Sequence, residues 1–146
     1  RKSWDYVQSQ NVNKIFLNNM EFSQQTIQQM FNEYLAADDG NYFFNYTISK
    51  SQNVFVQGTS LGEDYELELT SEDYLIDPDV LDANRVQLLK ELGWEIGGGA
   101  GMYVLLVSRE HLQNGDASSV VYHSLKAYNL LDHEIDFSGY KIASFS

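Results

Sequence analysis

The stretch from Tyr65 to Trp94 constrains the fold most. It opens with Tyr65, Leu67 and Leu69 alternating with Glu66, Glu68 and Thr70. A period of two sends one set to a core and the other to water, so a strand with an acidic, solvated face is expected. Asp77-Pro78-Asp79 then breaks the chain, because a proline pushes the residue before it out of the helical region. Leu81, Val86, Leu88, Leu89 and Leu92 follow at near-helical spacing. Gly93 stands where a helix stops, and Trp94 is a bulky core anchor just beyond it. No catalytic constellation lies in this stretch. It specifies a surface, and binding is the function it predicts.

The flanks fit one α+β domain. Ser23 is placed to cap a helix whose Ile27, Met30, Phe31, Tyr34 and Leu35 fall at i, i+3, i+4, i+7 and i+8, with Asp38-Asp39-Gly40 ending it. Tyr42 to Ile48 and Val54 to Gln57 are rich in aromatic and β-branched residues and read as strands. Ser49 to Asn53 supplies the turn between them, and Leu61-Gly62-Glu63-Asp64 the turn into the Tyr65 strand, which makes a meander. Trp94 to Ile96 forms a short strand, the glycine run Gly97 to Gly101 a connection, and Met102 to Val107 a buried strand. Asp116 caps a last helix with Val120, Val121, Ser124, Leu125, Tyr128 and Leu131 on one face. The expected order is α-β-β-β-α-β-β-α over residues 23–131, an antiparallel sheet of about five strands with helices packed on it.

Residues 1–22, rich in Asn and Gln with scattered aromatics, are expected to form an N-terminal arm, either packed on the domain or a neighbour or left disordered. Residues 132–146 alternate weakly and are expected to form a C-terminal arm that adds an edge strand or docks on a partner.

Charge narrows the partners. The 146 residues carry 21 acidic against 9 basic side chains, a formal charge of -12. Phosphate backbones and anionic membranes need a basic patch, so a nucleic acid is not expected, and a basic or apolar protein suits the chain better. There is no cysteine, which removes disulfides, thiolate nucleophiles and cysteine metal sites and fits a reducing, cytoplasmic location. No apolar run approaches the roughly 18 residues of a membrane span. The sequence opens on Arg1 rather than Met, which leaves open a targeting segment removed upstream.

Three places could carry chemistry. The run Gly97 to Gly101 leads into a strand and carries no lysine, whereas a phosphate-binding loop opens a helix; a hairpin connection is expected. The carboxylates around Glu63, Asp64, Glu72, Asp73, Asp77 and Asp79 do not fall at calcium-loop offsets, and Glu66 with Glu68 reads as a solvated strand face. His111, His123 and His133 show no zinc spacing, and no Gly-x-Ser-x-Gly elbow surrounds a serine. A non-enzymatic protein with no cofactor and no metal is the expectation.

The element order and four local motifs carry a resemblance. They are Phe55-Val56-Gln57-Gly58, the alternating acidic strand after it, Thr70-Ser71-Glu72-Asp73-Tyr74-Leu75, and the helix ending Leu92-Gly93-Trp94. Over roughly residues 24–131 the chain resembles the YbjN-like and type III secretion chaperone-like peptide-binding domains. The resemblance implies a non-enzymatic protein, often a homodimer, that offers a sheet face or a helix groove to a client segment. Carried over by position, the dimer contact falls on Val86, Leu89, Leu92, Tyr103 and Leu105. The expected client-binding residues are Phe44, Tyr46, Phe55, Tyr65 and Leu67 on the sheet, with Val86, Leu89 and Tyr103 near the second helix. Two other classes stand beside this one: a subunit of a larger complex docked through its terminal arms, and an acidic inhibitor or immunity-type protein.

Overall fold

The structure, a computed structural model, describes residues 13–15, 23–97, 101–136 and 140–145. The expected α+β architecture is present, with helices packed on an antiparallel sheet. The strands are β1 (Asn13–Ile15), β2 (Tyr42–Ser49), β3 (Val54–Leu61), β4 (Asp64–Leu69), β5 (Glu95–Gly97), β6 (Met102–Ser108) and β7 (Tyr140–Ser144). The helices are α1 (Gln24–Ala37), α2 (Ala83–Glu91), α3 (Arg109–Asn114) and α4 (Asp116–Leu125). Strand order is β1-β7-β2-β3-β4-β6-β5, seven strands among the described residues where about five were expected.

Two rows of side chains across the central strands make the floor of the core. Ile142, Phe44, Gly58, Leu67 and Leu105 stand opposite one another in one row; Tyr140, Tyr46, Val56, Leu69 and Tyr103 form the next. Helix α1 lies on this floor through its Ile27, Met30, Phe31, Tyr34 and Leu35 face, all buried as the helical period predicts. Its Phe31 and Tyr34 rings meet Phe44 edge-on, with centroids 5.7 and 5.2 Å apart. Ser23 caps the helix by accepting from the Thr26 N–H at 3.3 Å. Helix α4 packs beside α1, where the Ser118 hydroxyl donates to Gln28 Oε1 at 2.7 Å.

Five expectations need correction. Within the expected C-terminal arm, Tyr140–Ser144 does add a strand, but β7 sits inside the sheet between β1 and β2 and pairs with both rather than lying at an edge. The alternation of Tyr140, Ile142 and their neighbours is that of a core strand read at low contrast. The N-terminal arm lies outside the described residues, apart from Asn13–Ile15, which pairs with β7. The last helix is two helices, because Gly115 adopts a left-handed φ of 97° that ends α3 and opens α4. Asp116 therefore sits in the first turn rather than at the cap, and His111 lies within α3, its N–H bonded to the Ser108 hydroxyl at 3.1 Å. Leu131 falls beyond α4 and the turn that follows it, and is exposed.

The acidic strand face is the fifth. Glu68 is 1% exposed and Glu66 half-buried, on the sheet face away from the helices. Phe43 and Gln57 are buried on that face too, and Asn45 Nδ2 donates to Gln57 Oε1 at 3.0 Å. Alternation decides which side a strand residue points to; it does not decide whether that side is wet.

Candidate partner-binding edge

The expected client-binding residues are mostly core. Phe44, Tyr46, Tyr65, Leu67, Leu89 and Tyr103 are buried, and only Phe55 and Val86 reach half-burial. Phe44, Tyr46, Tyr65, Leu67 and Tyr103 face the helices, because the alternation that makes them apolar also sends them inward, whereas Phe55, next to Val56 on β3, lies on the other face of the sheet. Of the dimer contact implied by resemblance, Leu92 and Leu105 keep partial exposure.

These two residues lie at an edge that the sequence did not single out. Asp82 caps α2 through the Arg85 N–H at 3.0 Å, and Leu89 is its one fully buried residue. The adjacent Leu88 cannot share that face and is 40% exposed. The helix stops at Gly93, whose φ of 106° favours glycine, and the Trp94 N–H closes back on the Leu89 carbonyl at 3.1 Å. Trp94 then enters the core. From there the chain enters β5, which ends the strand order opposite β1 among the described residues.

β5 is short. It pairs with Met102 to Val104 only, while β6 continues to Ser108 beside β4. Ile96 stands opposite Tyr103 and so shares the helix-side face, yet it is 57% exposed. Leu105 is two residues along β6 on that same face. One of its methyl carbons lies 3.1 Å from where a Cβ on Gly93 would be. Leu88 and Leu92 are one helical turn apart, with the Leu92 N–H on the Leu88 carbonyl at 3.1 Å. Leu92, Leu105 and Ile96 thus lie at this margin, with Leu88 one helical turn before Leu92, and exposed Glu91 and Glu95 next to them in sequence. Arg85 Nη1 fixes the helix to the body through the Ala127 carbonyl at 2.8 Å. The signal for this edge was the pair Leu88-Leu89, only one of which can be core.

Polar groups elsewhere serve the fold. The Tyr103 hydroxyl donates to Glu72 and the Tyr128 hydroxyl to the Thr70 carbonyl. Burial pushes both phenols upward, and for Tyr103 the Glu72 carboxylate adds to the effect, so both remain donors at neutral pH. Ser124 follows His123 but points into the core, bonded to Trp94 and to the Val120 carbonyl. His123 Nδ1 meets the Ser119 carbonyl of its own helix at 2.7 Å. Gly97 and Gly101 flank the β5–β6 hairpin, and the rest of that glycine run lies outside the described residues. Among the described residues no group of three or more His, Asp or Glu is placed to hold a metal ion. No described helix is long and apolar enough to cross a membrane.

No family model, no curated protein and no solved structure matches the chain. The fold and this edge define the class: an acidic α+β protein whose β5 margin, among the described residues, has no further strand on it.

Proposed function

We propose that this protein is a non-enzymatic binding module that takes an extended segment of a client protein along the β5–β6 edge. One observation carries the reading: a terminal strand of three residues with exposed Ile96, with part-exposed Leu105 on the same sheet face and part-exposed Leu88 and Leu92 on the helix that leads into it. A strand edge presents unpaired N–H and C=O groups that an incoming strand satisfies, and the apolar border selects which side chains accompany it. The YbjN-like and secretion-chaperone resemblance points the same way and rests on the sequence motifs alone. A cytoplasmic location belongs to this reading through the absence of cysteine. Docking through a C-terminal arm loses its support, because residues 140–144 are an internal strand.

The test is a pair of charge-bearing variants, Leu88→Glu and Ile96→Asp, compared with the unaltered protein. Light scattering over a concentration series reads self-association, and capture from the native source with quantitative mass spectrometry reads clients. A client retained by the unaltered protein and lost by both variants, with melting unchanged, supports the edge. A dimer abolished by both variants makes a second copy the occupant. Clients and assembly state indifferent to both substitutions sink the reading.

A further inference from the structure

Between Lys50 and Arg85 the chain carries nine acidic residues and no basic one. The end of this segment, Glu72 to Asp82, is an irregular loop of two 3-10 turns, Glu72–Tyr74 and Pro78–Val80. The loop sorts its apolar residues: Leu81 is buried, Leu75 and Val80 pack half-buried on the core, and Ile76 is 69% exposed. That is the highest exposure among the described large apolar side chains.

Ile76 is held in this position by neighbouring elements. Its N–H donates to the Gln52 carbonyl at 3.4 Å, and Asn53 Nδ2 donates to the Tyr74 carbonyl at 2.7 Å. Both come from the β2–β3 turn, where Asn53 takes a left-handed φ of 58°. Gln52 Nε2 is in turn bonded to Glu134 Oε2 at 2.5 Å. The two 3-10 turns close through Leu75 N–H to the Glu72 carbonyl and Leu81 N–H to the Pro78 carbonyl, each at 3.3 Å. An apolar side chain kept in water on a pinned loop loses little further freedom when a partner covers it. Exposed Asp73, Asp77 and Asp79 surround it in sequence. The nearest cations along the chain are Lys50, exposed on the β2–β3 turn, and Arg85, committed to the Ala127 carbonyl.

We infer that Ile76 anchors a second docking surface, distinct from the β5–β6 edge, whose occupant is a basic amphipathic segment of a partner protein. Its apolar residues cover Ile76 and its Lys or Arg side chains face Asp73, Asp77 and Asp79. Apolar contact supplies the affinity, and the acidic surround selects the partner's charge and speeds encounter.

The probe is a fluorescent amphipathic Lys/Leu peptide, with a Lys/Ser peptide of equal charge and a Glu/Leu peptide as controls. Anisotropy gives affinity, and amide shifts of the labelled protein locate the contact. The Lys/Leu peptide is expected to bind, to shift amides of residues 72–82, and to weaken with added salt. Ile76→Ser is expected to lower its affinity by about tenfold, the worth of one apolar side chain taken from water. Asp73→Asn with Asp79→Asn lowers affinity further with the fold unchanged. Equal binding to Ile76→Ser, equal binding of the Lys/Ser peptide, shifts outside residues 72–82, or no binding would each overturn the inference. Leu88→Glu and Ile96→Asp leave this binding intact, so its failure and that of the β5–β6 edge are read separately.

Discussion

The indole Nε1 of Trp94 donates to the Ser124 hydroxyl at 2.7 Å inside the core. Ser124 passes the bond on to the Val120 carbonyl at 2.6 Å. The pair joins the residue before β5 to the last turn of α4, and so fixes where the sheet margin begins. Ser124→Ala leaves a buried N–H without its acceptor and is expected to destabilise by about 1–3 kcal/mol. Urea unfolding measures it. A double-mutant cycle with Trp94→Phe should recover part of the loss, since the orphaned donor is then gone.

Neighbouring leucines on α2 separate core from surface. Leu89→Ala empties a buried site and is expected to cost about 2–5 kcal/mol. Leu88→Ser is expected to stay within about 0.5 kcal/mol. Thermal and urea midpoints of the two variants compare them directly, and equal losses would mean that Leu88 is covered.

Gly58 lies under the Phe44 ring. A Cβ there would stand 2.7 Å from Phe44 Cε1 and 3.0 Å from the Glu66 carbonyl oxygen. Gly58→Ala is therefore expected to destabilise by about 1–3 kcal/mol through overpacking. Phe44→Leu in the same chain should relieve part of that clash, which the double variant's urea midpoint reports.

Alkaline pH probes the tyrosines. Burial pushes the Tyr46 phenol up from 10.0 to about 12, and also raises Tyr34, Tyr103, Tyr128 and Tyr140. A raised folded-state pKa means that the folded chain holds its protons longer than the unfolded one. Their contribution is thus fully present below pH 10 and is lost as pH rises through the folded values. Tyr46 is expected to remove about 1.4 kcal/mol per pH unit between pH 10 and about 12, and the other raised tyrosines act in the same direction. Urea midpoints from pH 8 to 12 give the slope, and phenolate absorbance should rise together with unfolding. A flat profile above pH 10 would refute it.

Local periodicity carried much of the fold. The α1 face from Ile27 to Leu35, the alternation of Tyr65, Leu67 and Leu69, and the stop at Leu92-Gly93-Trp94 follow from helical and strand geometry, which the residues themselves encode. Period and burial do not tell a core face from a docking face, however. That is why Phe44, Tyr46 and Tyr103, apolar and well placed on strands, suit a contact by sequence and yet are buried in the fold. Long-range pairing decided the rest. Residues 140–144 became an internal strand because β2 had an open margin, and Glu68 became buried because the second sheet face is not solvent there. Ile96 and Ile76 are exposed for a reason that no window of sequence contains: the short edge strand and the Gln52–Asn53 turn hold them away from the core.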